Sequence, residues 1–225
     1  MAIELRPQDR YSVVGKTGSG KTLFTIALVC LLVDLNNRAG WEIWWLDSKR
    51  DPDDRKILDS WGFTDISAPW WKERTSRKVI TLDPANGPVE WQAQAWAKRA
   101  LERGQVLLVA DEYKQVCLST RRAGPGMEDV HLRGRGLKVG LAGQTQEPCE
   151  IPRQLLSQAT HLFLMNLTYP ADIKYAQSLY RDYQPPNLEF GDRHGLWYAH
   201  IDGDARWHYF PHVKAFHDTV TQRAA

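Results

Sequence analysis

Residues Gly15 to Thr22 read GKTGSGKT. Glycines at both ends of a six-residue span, followed by Lys and Thr, are the residue types a phosphate cradle needs. Glycine lets the backbone turn tightly, so that several N–H groups point at one phosphate. A helix opening at the loop adds the positive end of its dipole. In this pattern Gly15, Lys16, Thr17, Gly18, Ser19 and Gly20 form the cradle. Lys21 reaches the β- and γ-phosphates of a nucleotide, and the Thr22 hydroxyl ligates Mg²⁺. The alternative is a glycine-rich turn that binds nothing. Against it stand a short strand before the loop, YSVV at 11–14, and a long apolar run after it, residues 23–33.

A second segment supplies what the first lacks. VLLVADE, residues 106–112, is an apolar strand ending in two acids. Asp111 is placed to hold Mg²⁺, directly or through water, as a Walker B aspartate does. Glu112 is placed to polarise an attacking water as general base. A buried strand ending in one acid is common and is usually structural; the glycine loop alongside makes it a site. The pair also bears on reaction type. A kinase passing phosphate to a bound acceptor does not want a base that activates water. A nucleotide-hydrolysing motor does, so the expected ligands are ATP and Mg²⁺.

Composition sets bounds on this reading. The 225 residues suit a single domain, 1–225, and 25% charged with 43% hydrophobic residues is ordinary for a globular protein. A net charge of +2 excludes an overall basic coat but not a local patch. Cys30, Cys117 and Cys149 are odd in number and far apart, so free thiols are expected. The N-terminal ten residues lack an apolar signal core. The long uncharged apolar stretch, Thr22 to Val33, is twelve residues. A membrane span needs about 20, so a buried helix and a soluble chain are expected. Most of the ten Trp should be core residues.

The elements that must position these residues alternate. Strands are expected at 11–14, 41–46, 78–82, 106–110, 137–142 and 162–167. Helices are expected at 20–36, 51–61, 90–103 and 151–159. That alternation predicts an α/β fold with a mostly parallel sheet flanked by helices. Near the end, Asp202-Gly203-Asp204 between aromatic-rich runs predicts an antiparallel hairpin at the sheet edge, about 195–212. Residues 121–136 and 183–195 read as mobile loops.

Four segments together resemble the FtsK/HerA class of P-loop DNA-translocating ATPases. They are GKTGSGKT with its helix, WWLDSKRD at 44–51, VLLVADE, and GLKVGLAGQTQEPCEIP at 136–152. The resemblance covers roughly residues 11–180 and is carried by order and spacing. It implies a RecA-like core and a glutamine that senses the γ-phosphate at Thr-Gln-x-Pro. Gln146 fits that pattern, but Gln144 lies two residues away on the same strand face, and spacing does not choose between them. It also implies an arginine finger given in trans, for which Arg133 and Arg135 match best among Arg121, Arg122, Arg133 and Arg135. The size and layout match viral genome-packaging ATPases, without the extra domains of larger relatives. The implied partners are double-stranded DNA, identical subunits in a ring and a capsid or portal-vertex protein. The implied place is the host cytoplasm, at the capsid vertex.

Other readings stand beside this one. A filamentous-phage-type assembly ATPase shares the core, and a small-molecule kinase could use 121–136 as a lid. Lys49 and Arg50 read first as surface charges, with a role near nucleotide or DNA as the alternative. Trp70 and Trp71 with Lys72, Arg74, Arg77 and Lys78 read as structural, with single-strand stacking as the alternative.

Overall fold

The computed structural model describes residues 5–35, 40–66, 75–179, 196–200, 207–210, 214–216 and 218. In chain order the main elements are β1 (Arg10–Val14), α1 (Lys21–Leu35), β2 (Glu42–Asp47), α2 (Pro52–Ser60), β3 (Thr64–Asp65) and β4 (Arg77–Thr81). There follow α3 (Val89–Arg103), β5 (Val106–Ala110), α4 (Tyr113–Val116), α5 (Pro125–Arg133), β6 (Val139–Thr145) and α6 (Gln154–Ser157). The last are β7 (His161–Leu164), α7 (Pro170–Leu179), β8 (Leu196–His200) and β9 (Trp207–Phe210). One sheet holds the strands in the order β3-β4-β2-β5-β6-β1-β7-β8-β9. The first seven run parallel, and β8 and β9 are antiparallel. The expected α/β fold with a C-terminal antiparallel pair is therefore the observed one. The Asp-Gly turn and residues 183–195 lie outside the described residues.

Two cores sandwich the sheet, and strand alternation sorts residues between them. Trp44 and Leu46 face the side covered by α3 and α5, with Ala93, Ala97 and Met127. Ile43 and Trp45 face the α1 side, with Phe24, Ile26 and Val29. Because strands buried on both faces carry apolar residues throughout, VLLVA of β5 is wholly buried. Trp41, Trp44 and Trp45 are core residues as expected, whereas Trp91 is exposed.

Several boundaries differ from the sequence reading. The stretch 121–136 is not a loop throughout: Pro125–Arg133 is helical and is followed by a 3₁₀ turn over Gly134–Leu137. Its Gly and Arg content masked the buried stripe of Met127, Val130 and His131. Gly126 lets α5 close on α3, since a Cβ there would lie 2.4 Å from the Gln94 carbonyl oxygen. The Gln94 side chain in turn bonds the Val116 and Ala123 carbonyls and the Met127 amide. A flap free to close over a substrate is thus not what this segment forms. Strand β6 begins at Val139, after Lys138 in the left-handed region, and runs on through Gln144 and Thr145. The helix expected at 151–159 shrinks to α6, four residues. Helix α7 and the two-residue edge strand β3 were not anticipated.

A buried polar chain ties β8 to the start of β1. His161 contacts Asp9 Oδ2 at 3.2 Å and the Tyr198 hydroxyl at 3.0 Å, and stacks on Tyr11 with 4.7 Å between ring centroids. Cations expected beside Trp70 and Trp71 are structural: Lys78 is buried on Glu42 at 2.7 Å, and Arg77 bonds Asp34 and the Trp61 carbonyl. Trp70, Trp71, Lys72 and Arg74 lie outside the described residues. Among the described residues no helix is long and apolar enough to cross a membrane.

Gly143 is where β6 receives the Tyr113 ring, with an added Cβ placed 2.0 Å from its Cζ. Gly143→Ala should lower stability by about 1–3 kcal/mol through overpacking. Urea unfolding checks this, and Tyr113→Leu in the same chain should recover part of the loss.

Candidate functional site

All seven parallel strands end on one edge, and β1 leaves the sheet between β6 and β7. A crevice at such a switch point is where open α/β sheets bind ligands. The loop 15–20 is pinned on both sides: Gly15 N donates to the Thr145 carbonyl at 3.2 Å and Lys16 N to the Asn166 carbonyl at 2.9 Å. Gly18 and Gly20 have φ of 75° and 87°, which a side chain would strain. Helix α1 starts at Lys21, so its first N–H groups lack intrahelical acceptors and face the loop. Lys21 Nζ donates to the Lys16 carbonyl at 2.9 Å across the same turn. Burial, and then the Lys49 ammonium, lower its pKa to about 8.

The acids of β5 lie beside this loop. Glu112 is buried and accepts a hydrogen bond from Thr145, while its Oε1 has no hydrogen-bond partner among the described residues. Burial pushes its pKa above the usual carboxylate range, opposed first by Lys49. Asp111 is occupied differently from the expectation. Its carboxylate accepts from Ser48 N at 3.2 Å on each oxygen, from Lys49 N at 3.0 Å and from the Ser48 hydroxyl. A direct bond from Asp111 to a cation has to compete with those donors. Thr22 Oγ1 instead meets Asp54 Oδ2 of α2 at 3.4 Å, and burial raises the Asp54 pKa.

Among the described residues no group of three or more His, Cys, Asp or Glu forms a metal cluster. Mg²⁺ in nucleotide sites needs no such cluster, since phosphates and waters complete its shell around one or two protein oxygens. The Thr22 hydroxyl and the partly buried Asp54 carboxylate beside it fit that requirement.

Of the two glutamines, Gln146 reaches the loop, where its Oε1 accepts from the Thr17 hydroxyl. Gln144 is buried in β6, and neither side-chain polar atom has a partner among the described residues. Lys49 is not simply a surface charge: with Lys21, Thr22 and Gln146 it lines a cavity of about 280 Å³ over the loop. Arg50 is exposed and meets Asp83 at 3.3 Å. Arg133 and Arg135 are exposed and lie before β6. They are therefore at the opposite sheet edge, about 20 Å along the strand from the loop of their own chain. Arg135 approaches Asp9 at 3.9 Å and Arg133 pairs with Asp129 at 3.0 Å. Asp54, Thr145 and Asn166 are site neighbours that the sequence reading did not name, and Lys49 is one it read first as a surface charge. Only Lys49 carried a signal, as a lysine two residues beyond a strand-ending Asp.

No protein-family model and no curated protein matches the chain by sequence. Solved structures share its fold. The genome packaging NTPase B204 from Sulfolobus turreted icosahedral virus 2, in complex with AMP, aligns with a TM-score of 0.67 at 14% identity, covering 91% of this chain and 98% of that one. The DNA-packaging ATPase B204 from Sulfolobus turreted icosahedral virus gives 0.71 at 13% identity, with 91% and 98% covered. EssC (ATPases 2 and 3) from Geobacillus thermodenitrificans gives 0.54 at 10% identity, covering 96% of this chain but 44% of that one. The first neighbour has also been solved with AMPPCP and with ATP-γS. At these identities the likeness is one of fold alone.

Removing the Asp111 carboxylate leaves the buried Ser48 and Lys49 donors unpaired. Asp111→Ala should destabilise the apo protein by about 1–3 kcal/mol, read by urea unfolding in chelator. A residue acting only on a metal would show no such loss.

Proposed function

We propose that this chain is an ATP-hydrolysing motor that translocates double-stranded DNA, working as a homo-oligomeric ring that packages a viral genome into a preformed capsid. The observation that carries the hydrolytic part is Glu112. It is a buried carboxylate with one unpartnered oxygen, beside a phosphate loop and its lysine. The packaging part rests on the fold shared with B204 and on the sequence resemblance.

In this reading the loop amides and Lys21 bind the β- and γ-phosphates of ATP. The Thr22 hydroxyl with Asp54, and Asp111 through water, would hold Mg²⁺, which supplies charge neutralisation at the phosphates when bound. Glu112 Oε1 accepts the proton of a water attacking the γ-phosphorus. The bond to the ADP oxygen breaks, and the products are ADP and inorganic phosphate. Gln146 orients the terminal phosphate. Arg133 or Arg135 of a neighbouring subunit serves as the arginine finger, a placement that suits their position at the far sheet edge. Lys and Arg contacts to DNA phosphates make DNA affinity fall steeply with salt. A capsid or portal-vertex protein is the docking partner at the capsid vertex.

The test is ATPase rate with and without double-stranded DNA while oligomeric state is followed; DNA-independent turnover by a monomer would overturn the motor reading. Lys21→Ala should abolish nucleotide binding in calorimetry. Glu112→Gln should bind ATP normally and lose about 10²–10⁴ in turnover. Mixing Glu112→Gln with Arg133→Ala or Arg135→Ala should regain hydrolysis in rings shown to be mixed, and no recovery would remove the trans finger from both positions.

The pH profile follows from the site. Lys21 must be protonated to bind phosphate, so kcat/KM should fall as pH rises through about 8. Glu112 must be ionised, so the acid limb should lie above the usual glutamate range. A flat profile from pH 7 to 9 would contradict the Lys21 assignment.

A further inference from the structure

The Asp111 clamp leaves one side chain unexplained. The chain leaves β2 at Asp47, and the Ser48 and Lys49 amides bond the Asp111 carboxylate. Arg50 then turns through the left-handed region at φ 55°, its amide on Asp47 Oδ1 at 2.7 Å. The backbone of Lys49 is thus fixed against the end of β5. Its side chain is half-buried on the cavity that Lys21 and Thr22 also line. Among the described residues its Nζ makes no hydrogen bond or ion pair. The carboxylates of Glu112, Asp111 and Asp54 act on Lys49 without bonding its ammonium, and a long ammonium held beside another lysine gains from an anion that comes to both.

We propose that Lys49 is a second phosphate-binding cation of this site, given in cis, which contacts the terminal phosphate of the bound nucleotide beside Glu112. The proposal rests on the nucleotide-hydrolase reading above. Charge coupling locates it at the hydrolytic end. Lys49 acts on Glu112 more strongly than Lys21 does, and it is the largest charge acting on Lys21. A cation reaching only the last phosphate separates ATP from ADP, whereas Lys21 also serves the β-phosphate. Asp111 then has a positioning part: its carboxylate holds the backbone from which Lys49 reaches.

The experiment uses the full chain with ADP and with a non-hydrolysable ATP analogue in calorimetry. Lys49→Ala should bind the ATP analogue about 10- to 100-fold more weakly, as expected for a charged hydrogen bond. It should bind ADP as the wild type does, and kcat should fall by at least the same factor. Lys49→Arg should recover part of both. Unchanged ATP-to-ADP discrimination with wild-type turnover would overturn the proposal. So would equal loss of both nucleotides with a lowered Tm, which marks a structural residue, or loss of DNA stimulation alone, which marks a DNA contact. A wild type that binds neither nucleotide sinks the hydrolase reading itself, before Lys49 is at issue.

Discussion

The site depends on burying the Asp111 carboxylate. A charge taken from water is costly unless donors meet it, and here the Ser48 and Lys49 amides and the Ser48 hydroxyl do so. Those donors sit on the turn just past β2, which pairs with β5 in parallel register, Leu46 beside Ala110. The charge and the turn therefore require each other. With that turn fixed, α2 starts at Pro52, capped by the Asp51 side chain, and brings Asp54 to Thr22. The same strand end presents Glu112 to Thr145 of β6. One buried carboxylate thus sets the positions of side chains from β2, α2 and β5 around the loop.

The opposite flank is held by backbone bonds together with the Thr17–Gln146 contact. Gly15 and Lys16 hang from Thr145 and Asn166, the residues at and just beyond the ends of the strands on either side of β1. Their N–H groups need acceptors once the loop is folded down on the sheet. The loop is consequently part of the sheet edge rather than a flexible connection, and a phosphate would find its donors already oriented.

What was legible in the sequence was what local pattern encodes. GKTGSGKT between a strand and an apolar run, and VLLVADE, place a loop and two acids at one edge of a parallel sheet. Alternation of elements gave the fold class. What was not legible depends on long-range partners. That both Asp111 oxygens meet residues 62 and 63 positions away is invisible to spacing. Gln144 and Gln146 share a strand face in the sequence. Only where β6 ends separates them: Gln144 stays in the strand, and Gln146 lies just past it at Thr17. Helix α5 was hidden because Gly124, just before it, and Gly126 within it read as loop residues, yet both lie against Gln94 and let the helix sit close to α3.

Among the described residues the β3 border of the sheet is two residues, Thr64 and Asp65, both exposed, with Arg55 paired to Asp65 at 2.7 Å. So short and charged a border offers almost no ladder of free N–H and C=O groups to another chain. Growth by strand addition is discouraged there, in the crowded conditions where unfinished or concentrated copies would otherwise aggregate edge to edge. Copies that meet on that side must recognise one another through side chains.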